Sequence, residues 1–178
     1  MVSGASHHAW THPSAADDQA SVAAPLPAAE QWSSERALYQ SAKRELATGA
    51  GQRYSEIRAQ LAHYPLRIDL DLAVNLEQLH HMKANGAREF LNQARGTPLA
   101  SRFLVAYLRH KAQDGRWKSF LGAMDTPPEM PELQCYYYRA LLATGKAELA
   151  FKGASKLWNV GYSQDKACDP LFSAWMAQ

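Results

Sequence analysis

Short glycine turns punctuate this chain and limit the length of any helix it can form. "TG" at 48–49, "NG" at 85–86, "DG" at 114–115 and "TG" at 144–145 each follow apolar residues recurring every three or four positions, the spacing of one face of an α-helix. Leu38, Ala42 and Leu46 lead to the first turn, and Tyr54, Ile57 and Leu61 form a second stripe that stops at Pro65. Glycine can close a helix in the left-handed conformation at little steric cost. The turns at Gly86, Gly115 and Gly145 recur about every 30 residues, which is the spacing of helical-hairpin repeats. The expected fold is all-α, a superhelical solenoid of short helical hairpins.

The remaining stripes extend this pattern. Leu66 to Met82 predicts a longer helix, with Leu72, Leu76 and Leu79 on one side and Gly86 as its C-terminal cap. Phe90, Leu91 and Ala94 follow. Thr97 and Pro98 then open a helix, threonine as cap and proline at the first helical position, whose apolar side is Leu99, Phe103, Leu104, Tyr107 and Leu108. Trp117, Phe120, Leu121 and Met124 form a short helix before "TPPEMP". Later, Ala147, Phe151, Ala154 and Trp158 predict a continuous seam, with Gly153 allowing close approach by a neighbour. Asp169 and Pro170 open a last helix carrying Leu171 and Trp175. Twenty leucines against five valines and two isoleucines agree with helix and argue against a large sheet.

Residues 1–32 read differently. They are rich in Ala, Ser, Pro and His without a helical stripe, and we read a disordered or appended leader ahead of a scaffold domain at 33–178. His7, His8 and His12 are treated as part of that leader rather than as a metal site. The longest apolar run, "FLVAYL" at 103–108, is far too short to span a bilayer. A net charge of +2, with basic and acidic residues alternating along the helices, excludes the basic footprint of a nucleic-acid binder.

"CYYY" at 135–138 poses a packing problem. Consecutive helical residues are turned by about 100°, so Tyr136, Tyr137 and Tyr138 cover roughly 200° of the circumference, more than one neighbour requires. That helix should be sandwiched in a layered stack, its phenols finding partners in wet seams. Cys135 and Cys168, the only cysteines, lack the spacing of a zinc site or dithiol motif. From the residues alone they are either two separate thiols or one disulfide.

Candidate chemistry is sparse. Asp69 and Asp71 at i, i+2 point to different sides of a helix and read as exposed solubilising charges. His80 and His81 also diverge, and His63 lies on another element, so no metal-ligand spacing emerges. Trp32, Trp117, Trp158 and Trp175 could stack on sugars, but helical spacing places Trp158 and Trp175 in the core. Neither a nucleophile elbow nor a phosphate loop is present, and no cofactor is implied.

The C-terminal stretch "LQCYYYRALLATGKAELAFKGASKLWNVGYSQDKACDPLFSAW", 133–175, resembles the N-terminal superhelical region of soluble lytic murein transglycosylases. The shared features are Cys135 with Tyr136, Tyr137 and Tyr138; Thr144 and Gly145; the run from Gly153 to Trp158; Ser163 and Gln164; and "ACDPLF", which holds Asp169, Pro170 and Phe172, with Trp175 beyond it. "RALYQSAKRELATG" and "HYPL" at 63–66 resemble the start of that region. The resemblance implies a curved, U-shaped scaffold in a periplasmic enzyme. Such an enzyme cleaves peptidoglycan between N-acetylmuramic acid and N-acetylglucosamine, leaving a 1,6-anhydro end. It implies a disulfide between Cys135 and Cys168. It also implies that catalysis belongs to a separate lysozyme-like domain, where a glutamate in a Glu-Ser motif acts as acid and then base. No Glu-Ser pair occurs in these 178 residues, so Glu129, Glu132 and Glu148 do not inherit the role. The expectation is a scaffold inactive alone, with glycan strands and the missing catalytic domain as partners; the alternative is a free-standing module that binds glycan strands or a cell-wall protein.

Overall fold

Helix after short helix is what the glycine and proline punctuation produces. The computed structural model describes residues 32–160 and 163–178, within which lie α1 (Ser33–Ala47), α2 (Gln52–Gln60), α3 (Arg67–Glu77), α4 (Ala84–Gln93), α5 (Pro98–Gln113), α6 (Trp117–Gly122), α7 (Pro131–Ala143), α8 (Ala147–Trp158), a 3-10 turn (Lys166–Cys168) and α9 (Asp169–Met176). His7, His8, His12 and the reading of a leader fall on residues 1–31, outside the described ones, apart from Trp32 at the leader's end. Chain neighbours pack on one another: α1 on α2, α4 on α5, α5 on α6, α6 on α7, α7 on α8 and α8 on α9. Packing between elements two apart, α1 with α3, α3 with α5 and α5 with α7, stacks the hairpins into a superhelix.

Two apolar cores result, and α7 is the wall between them. One core holds Phe90, Phe103, Tyr107, Leu108, Phe120 and Leu133; the other holds Cys135, Leu141, Ala150, Ala154, Leu171 and Phe172. Tyr136 and Tyr137 pack against both, and Tyr138 against the second. This is why three tyrosines stand in a row. The Arg139 guanidinium sits 5.3 Å from the Trp117 ring centroid and 5.4 Å from that of Tyr136, and donates to the Ala167 carbonyl at 3.2 Å. Cys135 and Cys168, 4.8 Å apart at Cα, are joined by a disulfide that ties α7 to the 3-10 turn before α9.

The turns at Gly115 and Gly145 have a shared construction. Each glycine has positive φ, +66° and +83°. The amide two residues past the cap returns to the carbonyl of the third-last helical residue, Arg116 to Lys111 at 2.9 Å and Lys146 to Leu141 at 2.8 Å. Both are Schellman closures.

Four sequence expectations are corrected. Gly86 caps nothing: α3 ends at Glu77, the chain turns through 78–81, and Gly86 lies inside α4. The cause is tertiary. The Lys111 ammonium, fully buried beneath Tyr107, donates to the Leu79 carbonyl at 2.6 Å, taking an acceptor that a continuing helix would use. Left-handed glycines stand at 49, 96, 115 and 145, so the even period holds only between the last two. Thr97 occupies the cap position of α5, but its hydroxyl reaches backwards to the Ala94 carbonyl at 2.7 Å, leaving Pro98 alone to favour the helix start. Asp169 and Pro170 do open α9, as their order in the sequence suggests, and the 3-10 turn before it is capped by Asp165, which accepts from the Ala167 amide at 2.8 Å. Along α8 the buried seam is Ala150, Gly153 and Ala154, while Trp158 is half exposed, because Phe172 already fills the space beneath it.

Candidate functional site

Tyr54, Arg58 and Asp71 come together where α2, α3 and α4 meet. The two short helices of the first hairpin end near Pro65, so α3 returns across α2 and brings Asp71 to Arg58, 13 residues away in sequence. Arg58 Nε donates to Asp71 Oδ1, and Arg67 Nε stands 3.8 Å from Asp71 Oδ2. Asp71 is only 5% exposed, and the two guanidinium groups beside it supply the countercharge that a buried carboxylate requires. Its hydrogen bond holds the Arg58 guanidinium above its ordinary pKa. Burial, with the Asp71 charge, pushes the Tyr54 phenol up, so the ring beside them stays neutral.

This cluster lines one end of a groove of about 840 Å³. Val74 and Met82, with the buried Phe90 behind them, contribute the apolar lining, and the amides of Asn75, Gln78, Asn85 and Gln93 add paired donors and acceptors. Such a lining suits hydroxyl and acetamido groups. It does not suit proton transfer, because Asp71 is committed to Arg58 and Arg67.

Asp69 and Asp71 are thus not the exposed charges expected from sequence: Asp71 is buried, and Asp69 accepts a 2.5 Å hydrogen bond from the Tyr39 hydroxyl. They do diverge, as i, i+2 requires. His63 and His81 are exposed, His81 edge-on to His80 with ring centroids 4.8 Å apart, and His80 is brought to His110 and Asp114, a grouping absent from the expectations. Its one local signal was His110 and Asp114 at i, i+4, the spacing that shares a helix face. Arg58 had no local signal, since its partner lies across the hairpin. Among the tryptophans, Trp117 lies under Arg139. Trp158, Phe172 and Trp175 form a partly exposed cluster, ring centroids 5.0 Å apart for Trp158 with Phe172 and 6.4 Å for Trp158 with Trp175. Among the described residues no helix is long and apolar enough to cross a membrane.

Comparison with known proteins places this architecture. Soluble lytic murein transglycosylases of Salmonella typhimurium and Escherichia coli are each 33% identical to it over 117 residues, 66% of this chain and 18% of theirs. The chain is a homologue of the superhelical region of soluble lytic murein transglycosylases. The crystal structure of the 70 kDa soluble lytic transglycosylase from Escherichia coli superposes with a TM-score of 0.72 at 29% identity, covering 80% of this chain and 23% of that one. The lytic transglycosylase Slt from Pseudomonas aeruginosa, solved as an inactive mutant, gives 0.65 at 31% identity over 79% of this chain. No family model matches. The chain spans about a fifth of the length of the curated relatives it matches.

Proposed function

We propose that residues 33–178 are the superhelical scaffold of a periplasmic peptidoglycan lytic transglycosylase, and that the segment before them is a leader. The observation that carries this reading is the match of a helical stack, at 33% identity, to only 18% of murein-cleaving relatives. The parent activity is cleavage between N-acetylmuramic acid and N-acetylglucosamine with a 1,6-anhydro product, in cell-wall turnover. The scaffold's role is to position that chemistry, and by itself this chain releases nothing. Cys135 and Cys168, Tyr136 to Tyr138, Gly145, Gly153, Trp158, Asp169, Pro170, Phe172 and Trp175 then serve the stacking of α7, α8 and α9 rather than ligand turnover. The test is incubation of the chain with purified sacculi and analysis of released muropeptides. No anhydro-muropeptide is expected above a buffer control, and its release by the chain alone would overturn the reading.

The groove favours a second role for the same scaffold, holding glycan strands. Its amide lining and the apolar surface of Val74 and Met82 match the mixed polar and apolar faces of an N-acetylated sugar. Saturable sacculus binding that is lost in Asn75→Ala combined with Gln78→Ala supports it; binding that is weak and unsaturable leaves the chain a positioning scaffold only.

A further inference from the structure

His80 lies in the turn after α3, His110 in the last turn of α5, and Asp114 at the C-terminal cap of α5. One ligand atom from each lies within 4.8 Å of the others. His110 Nδ1 is 3.3 Å from Asp114 Oδ2, and His80 Nδ1 is 3.8 Å from the same oxygen. His110 Nδ1 is buried and makes no hydrogen bond. We propose that His80, His110 and Asp114 form a binding site for a divalent first-row transition-metal ion of the zinc type, clipping the turn after α3 to the end of α5.

The donor set fits that chemistry. Imidazole nitrogen and carboxylate oxygen bind zinc at about 2.0–2.2 Å, which puts donor atoms of a tetrahedral site about 3.3–3.5 Å apart. The His110 to Asp114 separation is already there. Only His80 must close in, and its side chain is 60% exposed, its ring already 6.0 Å from that of His110 between centroids. Its backbone is held: the His80 carbonyl accepts from Arg116 Nη1 at 3.1 Å and from Lys111 Nζ at 3.4 Å, while Lys111 also anchors the Leu79 carbonyl. The C-terminal end of α5 adds the negative end of a helix dipole. Three protein donors leave a fourth position for water or an outside ligand. Arg116 opposes the ion, with Nε 3.6 Å from Asp114 Oδ2, and must yield that contact when metal enters.

Zinc alone is titrated calorimetrically into the full, chelator-stripped chain carrying His7→Ala, His8→Ala and His12→Ala, so that the leader histidines contribute nothing. One equivalent is expected to bind. His110→Ala and Asp114→Asn should each weaken it at least tenfold, His80→Ala likewise, and His63→Ala, exposed on another element, should leave it unchanged. Circular dichroism melts identify any variant that fails to fold, and the exposed His80→Ala serves where His110→Ala does. Absence of saturable zinc binding, or its retention in every folded variant of the three ligands, overturns the proposal.

Discussion

The ring of Tyr138 occupies the space in which any side chain at Gly153 would stand: a Cβ built there lies 2.1 Å from Tyr138 Cε1. Gly153 is helical and buried, so helix propensity alone would favour alanine by about 1 kcal/mol. The contact reverses the sign. Gly153→Ala is expected to lower unfolding free energy by about 1–3 kcal/mol in urea melts, through displacement of the Tyr138 ring and separation of α7 from α8. With Tyr138→Ala already present, Gly153→Ala should be neutral or slightly stabilising, whereas additive effects would refute the steric account.

The disulfide joins positions 33 residues apart and fastens α7 to the turn before α9. In the chain-entropy description such a loop contributes about 3–4 kcal/mol. Reduction, or Cys135→Ala with Cys168→Ala, should lower the melting temperature by roughly 10 °C for a domain of this size. A melt that does not move on reduction, from protein whose thiols were free beforehand, removes the pairing from the description.

How far these features were legible depended on whether their causes were local. Gly115, Gly145 and Pro98 act within one turn of chain, and each stands where the pattern put it. The tyrosine run also spoke locally, because an excess of aromatic circumference demands neighbours on more than one side. Gly86 misled because the end of α3 is set by the Lys111 ammonium, 32 residues from the Leu79 carbonyl it takes. Asp71 misled for the same reason: i, i+2 separates it from Asp69 correctly but says nothing of Arg58. Trp158 was expected inside because size and spacing favour burial, yet Phe172 and Trp175 leave it only a rim position. Half of the metal-type cluster was visible in the helix spacing of His110 and Asp114; His80 reaches it through a turn whose course is itself set by Lys111.

Arg58 is expected to matter more for stability than its partial exposure suggests. Replacement by methionine keeps much of the stem but leaves Asp71 buried with Arg67 as its remaining partner at 3.8 Å. Breaking one side of a buried ion pair costs about 3–5 kcal/mol, and Arg67 should hold the loss near the lower end. Arg58→Met combined with Asp71→Leu removes the orphaned charge and should recover most of it. If the double variant melts no higher than the single one, the groove floor is held by something other than this pair.

Alkali tests the base of α1. The Tyr39 hydroxyl donates to Asp69 Oδ2 at 2.5 Å, and burial, with that hydrogen bond, pushes its pKa up to about 12. A folded value above the unfolded one near 10 means that the unfolded chain loses this proton first, so the contribution is complete below pH 10 and disappears as pH rises towards 12. The size is about 2–3 kcal/mol, and Tyr54, Tyr107 and Tyr138, also pushed up by burial, add in the same direction. Lys111, pushed down by burial and by Arg116, has the opposite sign, but its contribution is complete once pH passes the unfolded lysine value near 10.5. Urea midpoints should therefore fall between pH 10 and 12, and the gap between the native chain and Tyr39→Phe should close over the same interval. Parallel curves for the two would show that the hydrogen bond to Asp69 does not hold α1 against α3.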